Sequence, residues 1–170
     1  MKPPHLATDS KAFRHALGRF PTGVTIVTTQ LPGEAPIGLT VSSFNSVSLS
    51  PPLVVWSLSK QSSSRLAFQT CERYVIQVLA ADQMSIANRF AKGTQAERFD
   101  GLNLVDTPHG GVRLDIDCAA WFECVNLNVH EEGDHLVFIG SVEHCADADT
   151  LPLIYHAGGY DLTPNNPKIA

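Results

Sequence analysis

The 170-residue sequence predicts a mainly β protein with a few helices, a barrel or sandwich rather than an alternating βαβ fold. Three observations carry that reading. Short runs rich in Val, Ile and Thr recur between turn-forming Gly, Pro and Ser residues, which is how strands and their connections are written. Helical spacing is confined to a few short segments. No glycine arrangement matches a P-loop or a dinucleotide fingerprint, and Gly110-Gly111 stands as an isolated pair.

The elements follow in order. Phe13, Ala16, Leu17 and Phe20 recur at helical spacing from about Asp9 to Arg19, with Thr8, Asp9 or Ser10 as cap and Gly18 and Pro21 as the stop. Gly23 to Gln30 nearly alternates and reads as a strand, and Pro32 and Gly33 turn the chain. Ile37 to Ser43 and Leu53 to Ser59 read as strands, the second apolar enough for burial on both faces. The segment between them, Phe44 to Pro52, is polar and ends in Pro-Pro. A short helix from about Ser63 to Gln69 precedes a strand at Tyr74 to Leu79. Asp82 then caps a helix carrying Ile86 and Phe90 one turn apart. Asp117 to His130 and Leu136 to Cys145 read as a large hairpin turned at Gly133-Asp134, and the tail after Asp161 is polar and Pro-rich.

Composition bounds the function. With 44% hydrophobic residues the chain can fill one core, so a single domain is expected over residues 1–170, its core at about 10–162. Only 17% of residues are charged, which is low for a monomer of this size and points to a homodimer. A net charge of −5 argues against nucleic acid and anionic membranes as partners. The longest apolar stretches, such as Pro51 to Trp56 and Tyr74 to Ala81, fall short of the roughly 18 to 20 residues a membrane helix needs. Met1 to Ser10 lacks the basic start and apolar run of a secretory signal, so a cytoplasmic location is expected. Cys71, Cys118, Cys124 and Cys145 show no CxxC spacing and read as reduced core thiols.

No metal site is expected, because His5, His15, His109, His130, His135, His144 and His156 form no HxH or HxxxH pair and no Cys accompanies them at ligand spacing. A serine hydrolase is disfavoured by the lack of GxSxG. The distinctive feature is a band of hydroxyl residues: Thr40, Ser42, Ser43, Ser46, Ser48 and Ser50, then Ser57, Ser59 and Ser62 to Ser64. Hydroxyls, backbone N–H groups and a helix start near Ser63 suit a dipolar ring edge and a phosphate, although a Ser-rich turn is more often only a turn.

Five blocks, FRHALGRFPTGVTIVTT (13 to 29), GLTVSSFNSVSLSPPLVVWSLSKQSSS (38 to 64), ANRFA (87 to 91), GDHLVFIGSVE (133 to 143) and PLIYHAGGY (152 to 160), resemble the signature blocks of the flavin reductase-like family, in family order. The resemblance implies a homodimeric FMN-binding split β-barrel. It also implies an NAD(P)H:flavin oxidoreductase that passes hydride from NADH (or NADPH) to FMN (or FAD) and supplies reduced flavin to a partner oxygenase. By position, Ile37, Gly38, Leu39, Thr40, Ser42 and Ser43 are implied as flavin contacts, with Ser57, Leu58 and Ser59 lining the same groove. Ser63, Ser64 and Arg89, with Phe90 beside them, match the phosphate end. Relatives often carry a basic residue where this chain reads Gln61 to Ser64. His135 matches a histidine at the nicotinamide site and is implied as the catalytic residue. Pro152, Leu153, Tyr155 and Tyr160 match the closing block of that pocket. Two readings remain beside the reductase: a non-catalytic flavin-binding or storage module, and a ferric-chelate reductase of the same fold.

Overall fold

The structure, a computed structural model, describes residues 8–161. Seven strands form one antiparallel sheet in the order β3-β2-β6-β9-β10-β5-β4: β2 (Thr25–Thr29), β3 (Ile37–Val41), β4 (Asn45–Leu49), β5 (Pro52–Ser59), β6 (Arg73–Val78), β9 (Ala120–Glu132) and β10 (His135–Asp147). β1 (Thr22–Gly23), β11 (Ile154–His156) and β12 (Gly159–Asp161) make a small second sheet, and β7 (Leu104–Asp106) pairs with β8 (Val112–Leu114). Four short helices intervene: α1 (Ser10–Leu17), α2 (Arg65–Thr70), α3 (Met84–Ala91) and α4 (Gln95–Phe99). The large sheet curls into a partly closed barrel. Just beyond β3, the Ser43 hydroxyl donates to Ser57 O of β5 at 3.2 Å and accepts from Ser57 N–H at 2.9 Å, joining the two ends.

Several elements depart from the pattern in the sequence. The polar segment after Phe44 contains strand β4, whose residues are mostly exposed; its strand character comes from pairing with β5 and not from burial. β5 is not buried on both faces. Val54, Trp56 and Leu58 alternate inward while their neighbours stay half-exposed. β2 is the reverse case, buried at every residue, because its three threonines satisfy their hydroxyls on Val41 O, Val112 O and Arg73 O. Gln83, not Asp82, stands at the N-cap of α3, its side-chain oxygen accepting from Ala80 N–H. Cys71, Cys118 and Cys124 are buried free thiols, but Cys145 is exposed, since β10 runs past the core at its far end. The tail after Asp161 lies outside the described residues.

Two apolar clusters fill the interior. In the first, Trp56 stacks on Phe138 with ring centroids 4.3 Å apart and meets Phe68 and Tyr74 edge-on, the arrangement favoured by ring quadrupoles. The second gathers Val24, Ile26, Leu79, Ala87, Phe90, Leu114 and Leu153, seating α3 and the closing segment on the barrel.

The β7–β8 hairpin is held by two buried polar side chains. Gln77 on β6 accepts from Leu114 N–H at 2.7 Å and donates to Leu114 O at 3.0 Å. Glu123 on β9 accepts from the Thr107 hydroxyl and from the N–H groups of His109 and Gly111, each of the latter at 3.1 Å. Burial pushes the Glu123 carboxyl up, but these donors and the nearby His109 outweigh it and hold it below the ordinary value. His144 lies 3.5 Å from the same carboxylate, and Glu143 faces both His109 and Arg73.

A carboxyl depressed in the folded state contributes stability that is present above its unfolded pKa of about 4.3 and lost as pH falls through its folded value. Glu123→Gln is therefore expected to cost roughly 1–3 kcal/mol at neutral pH, with the deficit against wild type narrowing as pH falls to about 3. Thermal unfolding of both proteins across that range measures it. A deficit constant with pH would mean that the charge of Glu123 is not what holds the hairpin.

Candidate functional site

A groove of about 370 Å³ opens where β3 meets β5, within the range of about 300–1,000 Å³ typical of ligand sites. It is lined by Leu39 to Ser43, Ser57 to Ser59, Ser62, Phe90, Ala91, Arg98 and His135. A larger cavity of about 610 Å³ adjoins it, sharing Ser42 and Ser43 and bounded by α1 and the β11–β12 turn.

The polar wall of the groove follows from the edge of β3. Strand β3 pairs with β2 on one side only, in a register that sets Gly38 opposite Thr28 and Thr40 opposite Ile26. Gly38 N–H donates to Gln95 Oε1 at 2.9 Å, and Gly38 O accepts from Arg98 at 2.7 Å. These groups therefore point off the sheet, and strand alternation directs the N–H and C=O of Thr40 the same way, into the groove. The Thr40 hydroxyl itself is turned back to donate to Ala87 O at 2.6 Å.

Of the residues implied by the resemblance, Leu39, Thr40, Ser42, Ser43, Ser57, Leu58, Ser59, Phe90 and His135 come together in this groove. Leu58 and Phe90 do so with buried side chains, 3% and 0% exposed, so Leu58 presents backbone and Phe90 forms packed floor. Ile37 packs against the first cluster, and Gly38 is closed off by Gln95 and Arg98. Ser63 is exposed outside the groove lining; Ser64 is buried and its hydroxyl accepts from Gln95 at 3.0 Å. Arg89 is turned to carbonyls of the helix α4 region, donating to Glu97 O at 2.9 Å and to Asp100 O. Pro152 bridges Ala80, and Leu153 is 1% exposed in the second cluster, so both have packing roles here. Tyr155 lines the adjoining cavity with its ring 5.6 Å from that of Tyr160.

Arg98 is the groove's cation, and the sequence reading passed over it. Partial burial pulls its guanidinium below the ordinary value, yet arginine keeps its charge at any physiological pH. Its bonds to Gly38 O and Lys92 O leave further donors of the five-donor fork for a ligand. A signal was available, since Arg98 lies one helical turn past the Thr94 cap in the TxxE pattern of a capping box. At the groove's other strand, His135 Nδ1 lies 2.7 Å from Asp134 Oδ1, which holds that carboxyl below its usual value. Nε2 is then the ring atom left for a ligand.

A partly closed antiparallel barrel with a hydroxyl- and backbone-lined groove, one arginine and one histidine belongs to the mainly β class, distinct from the α/β dinucleotide folds. The family described as flavin reductase like domain matches residues 17–163, and the chain belongs to it. The chain is 43% identical over 152 residues to FMN reductase (NADH) SmoA of Agrobacterium fabrum, covering 89% of this chain and 85% of that protein. It is 37% identical to the reductase component of a flavin-dependent trigonelline monooxygenase of Acinetobacter baylyi, over 91% of this chain but 49% of that protein, and so spans about half its length. The solved NADH:FAD oxidoreductase SgcE6 of Streptomyces globisporus, in complex with NAD and FAD fragments, superposes with a TM-score of 0.88 at 30% identity, covering 98% of this chain and 100% of that one.

Gly38 tests the groove wall. A Cβ there would sit 2.8 Å from the Phe90 ring and 2.9 Å from the Phe99 ring, both packed side chains. Overpacking of this kind costs about 1–3 kcal/mol, so Gly38→Ala is expected to lower the stability of the fold by that amount. Thermal or denaturant unfolding measures it; an unchanged stability would mean that the Phe90 and Phe99 rings do not pack tightly behind β3.

Proposed function

We propose that the chain is a flavin reductase that binds FMN (or FAD) in the β3–β5 groove, accepts hydride from NADH (or NADPH), and releases reduced flavin to a separate oxygenase. The observation that carries this reading is the convergence of the off-edge polar groups of Thr40, the hydroxyls of Ser42, Ser57 and Ser59, the Arg98 cation and His135 on one groove. Off-edge donors and acceptors match the dipolar edge of an isoalloxazine ring, and a guanidinium fork matches a phosphate. The relatives named as an NADH-dependent FMN reductase and as a monooxygenase reductase component support the donor and the recipient.

A flavin and a reduced nicotinamide held together here would supply hydride-transfer chemistry, which belongs to the cofactors. The protein's part is placement. Thr40 would hold the ring edge, Arg98 would anchor the phosphate, and His135, its Nδ1 bonded to Asp134, would orient the nicotinamide carboxamide through Nε2. Most contacts carry no formal charge on the ring, so oxidised and reduced flavin are held with similar strength, as release to an oxygenase requires.

The chain works as one flavin reductase-like unit with its core at about 10–162, in the cytoplasm, as a homodimer. Exposed Val47 and Leu49 on the edge strand β4, the latter 93% exposed, support the dimer. Among the described residues no helix is long and apolar enough to cross a membrane.

Loss of nicotinamide absorbance on mixing protein with NADH, with and without FMN and then without oxygen, tests the activity. Consumption that requires flavin, with flavin in excess of protein bleached anaerobically, is expected; FMN binding with both NADH and NADPH untouched would leave a storage module instead. Arg98→Gln is expected to weaken FMN binding about tenfold or more while leaving riboflavin, which lacks the phosphate, within about twofold. Equal losses for both flavins would move the phosphate elsewhere.

A further inference from the structure

Helix α4 presents Arg98 to the groove, yet its five residues cannot keep it in place. Most of its backbone N–H and C=O groups find no partner inside so short a helix. Two devices outside the groove fix its ends. At the start, Glu97 Oε2 accepts from Thr94 N–H at 2.7 Å and from the Thr94 hydroxyl at 2.9 Å, and the Thr94 oxygen accepts from Glu97 N–H at 3.3 Å. At the other end, Arg89 of α3 donates from Nε to Glu97 O at 2.9 Å and from Nη2 to Asp100 O. One planar guanidinium thus spans two carbonyls of the last turn, the end of a helix that favours a cation.

By resemblance Arg89 falls at the phosphate end of a flavin, but its bonded nitrogens face α4 and it does not line the groove, whereas Arg98 does. Arg98 points into the groove only while α4 stays put. Its Nε donates to Lys92 O at 3.1 Å and its Nη1 to Gly38 O at 2.7 Å. From the same helix Gln95 accepts from Gly38 N–H at 2.9 Å and donates to the Ser64 hydroxyl at 3.0 Å, so any shift of α4 loosens the β3 edge and Arg98 together. We infer that Arg89 is a positioning residue: it holds no ligand itself, and by fixing the carbonyl end of α4 it keeps the Arg98 guanidinium in the groove. Glu97 does the same from the other end, although its carboxylate sits on the helix that offers a cation to a phosphate. The inference rests on the flavin reading of the groove, with Arg98 at the phosphate, but the support of α4 is also tested apart from it.

Charge and position predict opposite signs at Glu97, an exposed residue. Removing a carboxylate near a phosphate tightens binding on charge alone. Glu97→Ala is instead expected to weaken FMN binding about threefold or more, because the capping box is lost and α4 frays, with riboflavin within about twofold. Arg89→Gln is expected to weaken FMN binding about fivefold or more, again with riboflavin within about twofold. Arg89→Lys recovers little of that loss, since an ammonium cannot span two carbonyls as a fork does, whereas a direct phosphate contact would tolerate lysine. In an Arg98→Gln background, Arg89→Gln changes FMN affinity by less than about twofold. Flavin fluorescence quenching gives all of these affinities. Losses that multiply in the double variant mean that Arg89 holds the phosphate itself, and they overturn the inference. Tighter FMN binding by Glu97→Ala overturns it too, as do equal losses of both flavins in Arg89→Gln where Arg98→Gln discriminates between them. Hydrogen exchange of the flavin-free protein reads α4 without any ligand. The amides of Gly38 and Arg98, bonded to Gln95 Oε1 and Thr94 O, are expected to exchange about tenfold or more faster in Arg89→Gln, with those of β6 within about twofold. Unchanged exchange at both amides overturns the inference. Faster exchange, beside an Arg98→Gln variant that loses FMN and riboflavin equally, sinks the phosphate assignment of Arg98 and leaves Arg89 standing as the residue that positions it.

Discussion

The outer edge of β3 is the constraint on which the site depends. An edge strand leaves alternate N–H and C=O groups without sheet partners, and buried groups of this kind must be satisfied. At Gly38 the protein satisfies both with side chains from a helix of five residues, Gln95 and Arg98 of α4. That helix is too short to persist alone. It is held by the reciprocal Thr94–Glu97 capping box, by Arg89 on the carbonyls of Glu97 and Asp100, and by the edge-on packing of Phe99 against Phe90. The bonds from Thr94 keep the Glu97 carboxyl below its usual value, so the cap stays ionised. Arg89 thus serves the groove from behind, as the support of the helix that presents Arg98.

The same accounting changes the meaning of the hydroxyl band. Thr40 donates its hydroxyl hydrogen to Ala87 O and Ser43 donates its own to Ser57 O, so neither can offer that hydrogen to a ligand. Ser59 and Ser62 only accept, from Gln61 N–H and Ser64 N–H, and keep their hydrogens available. The band therefore divides into hydroxyls that close the barrel and hydroxyls that face the groove. Composition cannot make that division, because it depends on which carbonyl lies within reach after the sheet has curled.

Legibility in the sequence followed the range of the interactions concerned. α1, β6 and the long β9–β10 hairpin were readable because local spacing, a cap and a Gly turn specify them. β4 and the β7–β8 hairpin were not, since one is a polar edge strand and the other is pinned by Gln77 and Glu123 from distant strands. In the groove, residues carried by the β3 and β5 blocks were found together, whereas Arg89 and Arg98 lie on neighbouring short helices and only the tertiary packing shows which one reaches inward. Leu153 reads in sequence like a rim residue, yet the segment leading into β11 carries it into the second cluster.

Strand register explains why His135 reaches the groove at all. In the β5–β10 pair His135 lies opposite Ser59 and Val137 opposite Ser57, while Leu136 and Phe138 face Leu58 and Trp56. Leu136, Phe138, Leu58 and Trp56 are all buried, so the first cluster fixes which face of each strand turns inward. A slip of one residue would bury His135 and expose Phe138, at a cost far beyond any local preference of the Gly133-Asp134 turn. Further along β10, Gly140 passes so close to Tyr74 that a Cβ there would meet its hydroxyl at 2.3 Å, with a shift of register beside it where β10 meets β9. The aromatic core therefore sets the position of a half-exposed imidazole, and the precision of the site is inherited from residues that never touch a ligand.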